Sequence, residues 1–196
     1  MLFLENTLNG LQKDQAKYLE EKMAYFSEKK LRSYNTYQFN ESADRILKKS
    51  ASVTKYTVFL SHSHKDSDIA NGLKNHLAEL GLGIYIDLQD SDLSQSTDRT
   101  TAIRIKNKIK ELNYFFLLAT NNAVQSRWVP WELGVADGYK DFEKILVIPV
   151  EDDYGRFEGN EYLQVYKRMV IADNGNTAVF NPRETTNGIL VESYLK

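Results

Sequence analysis

The stretch SRWVPWELGVADG, Ser126 to Gly138, holds both tryptophans of the chain and sets Glu132 four residues after Trp128. On a helix those two side chains share a face, with Trp131 and Val135 on a neighbouring one. Pro130 has no N–H and suits a first turn, so the helix is expected to begin between Ser126 and Val129. Glu132 then lies in or near that turn, where the helix dipole favours an ionised carboxylate by about 0.3–1 kcal/mol. A charged carboxylate beside an indole suits two tasks. It can hold the hydroxyls of a ribose, and it can stabilise the oxocarbenium-like centre that forms when a glycosidic bond breaks. The structural alternative is an anchor, with tryptophan packed on a core and an acid matched to the positive helix end. Spacing alone leaves both open.

Other chemistry is less well supported. Ser61, His62 and Asp87 assemble a Ser-His-Asp triple on paper, but no G-x-S-x-G elbow accompanies them. His62 and His64 are two apart, which on a strand would place them on one face, yet a third ligand is missing and no metal centre is expected. His76 falls within a helix and is expected at its surface. Neither G-x-G-x-x-G nor a Walker A pattern occurs, so a phosphate would have to use backbone N–H groups at a helix start. Asp66 is expected to serve as an N-cap there. A phosphorylatable aspartate after the third strand is also missing, since that strand ends in Ala119-Thr120-Asn121-Asn122.

These residues need a scaffold, and the pattern from Lys55 onward supplies one. YTVFLS (Tyr56–Ser61), GIYID (Gly83–Asp87), NYFFLLAT (Asn113–Thr120) and KILVIPV (Lys144–Val150) are short apolar runs, as expected of strands buried on both faces. Between them, DIANGLKNHLAELG carries Ile69, Leu73, Leu77 and Leu80 at helical spacing. AIRIKNKIKEL carries Ile103, Ile109 and Leu112, with Ile105 off the stripe. LQDSDLSQSTDRT is a polar loop. RMVIADNGNTAVFNP reads as a hairpin turning at Asn174-Gly175. Strand and helix in alternation imply a parallel sheet wrapped by helices, with ligands beyond the carboxyl ends of its strands. The segments leaving that edge are Ser61-His62-Ser63-His64, Asp87 onward, Thr120 to Trp128, and Glu151 onward.

Residues 1–52 differ. Leu11, Tyr18, Leu19, Met23 and Phe26 fall mostly at three- and four-residue spacings among Lys and Glu, the pattern of an amphipathic helix, and ESADRILKK suggests a second. A helical extension packed on the domain at 53–196 is expected, with partner binding as the second reading.

Composition narrows the class. The chain has 196 residues with a net charge of -2, which gives no case for nucleic acid or an anionic membrane. It has no cysteine, which excludes disulfides and thiolate chemistry. No basic, apolar leader opens it and no run approaches the length of a membrane span, so a cytoplasmic protein is expected.

Together, YTVFLSHSHKD, GLGIYID, NYFFLLATNNAVQSRWVPWELGVADG and KILVIPV resemble the TIR (Toll/interleukin-1 receptor) domain, particularly its bacterial members. The resemblance covers Tyr56 to Val150 and implies a flavodoxin-like α/β fold: a central parallel sheet flanked by helices, here with an N-terminal helical extension and a C-terminal β-hairpin region. The tail after Glu151 is not covered. In enzymatic TIR domains the catalytic glutamate stands four residues after a tryptophan, with a serine two before that tryptophan; Ser126, Trp128 and Glu132 match. The resemblance implies NAD+ as substrate, with no other cofactor, and cleavage of its nicotinamide N-glycosidic bond. Glu132 would be catalytic, and Ser61, His62, Ser63, Asp87, Ser126 and Trp128 would line the substrate. The product would be ADP-ribose or a cyclic isomer, serving as an anti-phage signal to a downstream effector. Self-association through the flexible loop from Leu88 to about Thr101 is implied as well. A non-catalytic adaptor, or a module that senses the nucleotide without cleaving it, would use the same fold.

Overall fold

The computed structural model describes residues 23–36, 57–86 and 99–195. Asp87, the polar loop up to residue 98, the ESADRILKK stretch, and Leu11, Tyr18 and Leu19 lie outside the described residues.

Strand alternation builds the sheet. In β3 (Thr57–Ser61), Val58 and Leu60 face one core cluster and Phe59 faces the other. β5 (Tyr114–Ala119) divides the same way, with Phe116 and Leu118 on one side and Phe115, Leu117 and Ala119 on the other. β6 (Ile145–Glu151) is buried along nearly its whole length, as its unbroken apolar run requires. β4 (Gly83–Tyr85), β3, β5 and β6 lie side by side, and each neighbouring pair is parallel. From β3 the chain crosses to one neighbour, β4, and later to the other, β5. The crevice between β3 and β5 is therefore the switch point of the sheet, the order 2-1-3-4 of flavodoxin-like folds.

Helices cover both faces. α2 (Ser67–Glu79) buries Ile69, Leu73 and Leu77 on one. α3 (Arg99–Glu111) and α5 (Val129–Asp137) cover the other, with the short α4 (Asn121–Gln125) ahead of α5. In α3 the stripe is Ile105 and Ile109, continued by Leu112 just past its end, and Ile103 is the residue left exposed, the reverse of the sequence expectation. Arg99 and Thr100, expected in the polar loop, already belong to α3. The hairpin is as expected: β7 (Lys167–Ala172) and β8 (Thr177–Phe180) pair antiparallel around Gly175, whose φ of 80° requires a residue at ease in the left-handed region. β9 (Ile189–Leu190) and α6 (Val191–Tyr194) complete the edge.

The N-terminal segment departs from expectation. Met23 and Phe26 are on strands, not on a helix: β1 (Met23–Ala24) and β2 (Phe26–Ser27) enter the sheet, and the helix α1 follows at Glu28–Thr36. β6 and β7 pair only at Leu146–Val147 with Lys167–Arg168 and then part. β2 runs parallel to β6 at Val150, while β1 runs antiparallel to β7 at Ala172. Since β6 and β7 are themselves parallel, the chain reverses at Tyr25, and this V fills the gap. Phe26, fully buried, supplies the driving force for the insertion. α1 then lies on α2 so closely that a Cβ at Gly72 would stand 1.8 Å from the Leu31 carbonyl oxygen.

Candidate active site

α5 places an acid inside its own apolar stripe. Val129, Leu133 and Ala136 are buried at i, i+4 and i+7, and Glu132 at i+3 is buried with them, 3% exposed. A carboxylate in such a position requires a donor. Ser61 provides it. As the last residue of β3 it falls on the same sheet face as Phe59, the α5 side, and its Oγ donates to Glu132 Oε2 at 2.5 Å, within the range of a hydroxyl bonded to a carboxylate. Glu132 itself is in the first turn of α5, with its N–H bonded to the Trp128 carbonyl at 2.9 Å. Pro130 also lies in that turn and does not turn the acid away from the sheet. The acid and its serine thus meet at the carboxyl end of β3, beside the switch crevice.

A second buried acid braces the same edge. Asp66, 1% exposed, accepts from Thr120 Oγ1 at 2.5 Å and from Asn122 Nδ2 at 2.6 Å. Thr120 Oγ1 also accepts from the Ala123 N–H at 2.9 Å and so caps α4. This pins the loop after β3 to the loop after β5 across the switch point. Asp66 occupies the N-cap position of α2, as expected, but its carboxylate makes no cap bond there and serves Thr120 and Asn122 instead. Thr120 and Asn122 were missed as partners because they are remote in sequence; only their shared position at the carboxyl edge could have suggested it.

The remaining expected residues occupy several places. Ser63 is buried and caps the 3-10 turn His64–Asp66 through the Lys65 N–H. His62 is buried with Nδ1 3.3 Å from the Leu60 carbonyl, while His64 is exposed. The strand ends at Ser61, so the two histidines do not share a face. A serine hydroxyl donates one hydrogen bond, and Ser61 directs it to Glu132 rather than to His62, as a Ser-His-Asp triple would need. Ser126 accepts from the N–H groups of Trp128 (3.2 Å) and Val129 (3.4 Å), which fixes the entry to α5. Trp128 is half-buried against the α5-side core and meets Trp131 edge to face at 5.3 Å. Ser126 and Trp128 therefore have structural partners of their own. Asp87 lies outside the described residues. His76, expected at the surface, is half-buried: it stacks on Tyr34 at 4.7 Å and bonds Thr177 Oγ1 at 2.8 Å.

The strand order defines a doubly wound α/β protein, a class whose ligands bind at the carboxyl edge of the sheet, and the buried acid stands at that edge. The TIR domain family model matches residues 58–175, from β3 to the turn after β7, and the chain belongs to that family. It is 36% identical over 118 residues to a Bacillus cereus (strain MSX-D12) protein named "Probable 3' cyclic ADP-D-ribose synthase ThsB'", a match covering 57% of this chain and 58% of that protein. It is 32% identical over 81 residues to "Putative cyclic ADP-D-ribose synthase TIR2" of Cytobacillus dafuensis, covering 40% of this chain and 21% of that protein. The matches thus span less than two thirds of either relative's length.

Proposed function

We propose that this chain cleaves the bond between nicotinamide and ribose in NAD+, using Glu132, and closes the ADP-ribosyl remainder into a cyclic ADP-ribose isomer. The observation that carries this reading is the placement of Glu132: an acid built into a core stripe, held by Ser61, at the crevice where sheets of this order bind ligands. The names of the two relatives, both cyclic ADP-D-ribose synthases, support the cyclic product over the linear one.

The chemistry asks little of the protein beyond charge and position. The bonding electrons leave with the pyridinium nitrogen, which becomes neutral, so no general acid is needed. Positive charge appears on the anomeric carbon and its ring oxygen, and a fixed carboxylate beside the ribose stabilises it. Ser61 holds one carboxylate oxygen and sets its orientation. A nucleophile of the same molecule then captures the cation and loses its proton; water would give ADP-ribose instead. In keeping with the bacterial TIR resemblance, we assign the product a role as an anti-phage signal read by a separate effector.

The test is nicotinamide release from NAD+ by purified protein, with products separated by chromatography. Glu132→Gln keeps the side-chain volume and removes the charge; it should lower turnover by about 10²–10³-fold, the scale of losing one electrostatic stabiliser. Full activity in that variant would refute the assignment. Binding of NAD+ by calorimetry without turnover in the wild type would identify a sensor instead.

A further inference from the structure

On the α5 side of the sheet, where β6 and β7 part, lies a cavity of about 440 Å³. Val147 and Pro149 of β6 form its floor. Tyr25, at the apex of the N-terminal V, closes one side with Phe157, the two rings meeting edge to face at 5.6 Å. Arg168 stands opposite Val147 in register, so its side chain leaves β7 on this same face. Its guanidinium is only partly used. Nη2 donates to the Glu184 carbonyl, whereas Nε is buried with no acceptor among the described residues. Buried donors of this kind are normally paired. Arg183 reaches the cavity from the loop after β8 and makes no ion pair with any described residue. Glu158 and Glu161 stand at the rim, exposed.

These groups suit one ligand chemistry. Guanidinium forks bind phosphate oxygens in pairs. An aromatic corner accepts a planar ring by its face or edge. Rim carboxylates accept hydrogen bonds from ribose hydroxyls or amino groups. The volume is near the lower end for small-molecule sites, the scale of a single nucleotide rather than a dinucleotide. We propose that this cavity binds a nucleoside monophosphate, with phosphate on Arg168 and Arg183 and the base against Tyr25 and Phe157. Its lining includes none of Ser61, His62, Ser126, Trp128 or Glu132, and β5 stands between β3 and β6, roughly 10 Å across. Its rim is nonetheless tied to the switch point: Asn121, at the start of α4, donates to the Arg156 carbonyl and accepts from the Glu158 N–H. The proposal does not rest on cleavage of NAD+.

Calorimetric titration of the full chain with AMP tests it, with adenosine and inorganic phosphate as half-ligands. AMP should bind saturably, each half-ligand at least tenfold more weakly. Arg168→Gln and Arg183→Gln should each raise the AMP Kd at least tenfold, and Glu132→Gln should leave it unchanged. Arg183 is exposed, so its variant keeps the test decisive should Arg168→Gln fail to fold. The proposal is overturned if AMP does not bind, if Arg183→Gln binds it as wild type does, if phosphate alone binds as tightly, or if Glu132→Gln abolishes binding.

Discussion

Ser61 Oγ donates to the buried Glu132, which gives the serine a measurable duty. Ser61→Ala removes the donor and leaves the carboxylate in place, at a cost of about 1–3 kcal/mol in stability. The same change loosens the acid's aim, so turnover should fall roughly tenfold, the equivalent of one such hydrogen bond; Ser61→Thr, which keeps the hydroxyl, should recover most of it. Thermal melts and nicotinamide release measure the two effects. His76 carries a pH prediction. Burial holds its imidazole below the ordinary histidine range, the Lys30 charge adds to this, and Glu192 opposes it. With the folded pKa depressed, the unfolded chain takes up a proton first as pH falls. The stability His76 contributes is therefore intact above about 6.5, the unfolded value, and is lost as pH falls through the folded value. Wild type should lose more melting temperature between pH 7.5 and 5 than His76→Gln does. At this scale the positions of Ser61 at a strand end and Glu132 at a helix start were legible in the sequence, because both are local signals that the switch-point rule then brings to one edge. Asp66 with Thr120 was not legible, since nothing local marks a pair made across two crossovers.

Among the elements, α1 is held by closeness of backbone. A methyl group at position 72 would collide with the Leu31 carbonyl, so Gly72→Ala should push α1 off α2 and cost about 1–3 kcal/mol, the usual range for overpacking. Hydrogen exchange should show protection lost across Glu28–Thr36 while β3, β5 and β6 keep theirs. The sheet's central strands were readable because strands buried on both faces are continuous apolar runs. β1 and β2 were not. Two-residue strands are too short to display a period of two, and Met23 and Phe26, three apart, imitate a helix stripe. In α3 the neighbouring Ile103 and Ile105 compete for one stripe, and only the sheet beneath decides between them.

For the molecule as a whole, the N-terminal V makes residues upstream of the family match part of the sheet. The region that the TIR model matches starts at residue 58, but Phe26 and Leu31 are fully buried in the same cluster as Leu60 and Phe116. A chain lacking residues 1–27 should lose at least the 3–5 kcal/mol typical of deleting a core phenylalanine, a fall of about 10 °C or more in melting temperature for a domain of this size. An unchanged melt would mean that β6 and β7 close on each other without the V. None of the helices among the described residues is long and apolar enough to cross a membrane. The V also sets an order of events at the ribosome. Met23 and Phe26 are translated more than a hundred residues before Ala172 and Val150, the residues they pair with. Until β6 and β7 have been made, the segment that carries Met23 and Phe26 has no strand to dock on, so the gap between those strands is closed by a part of the chain older than either.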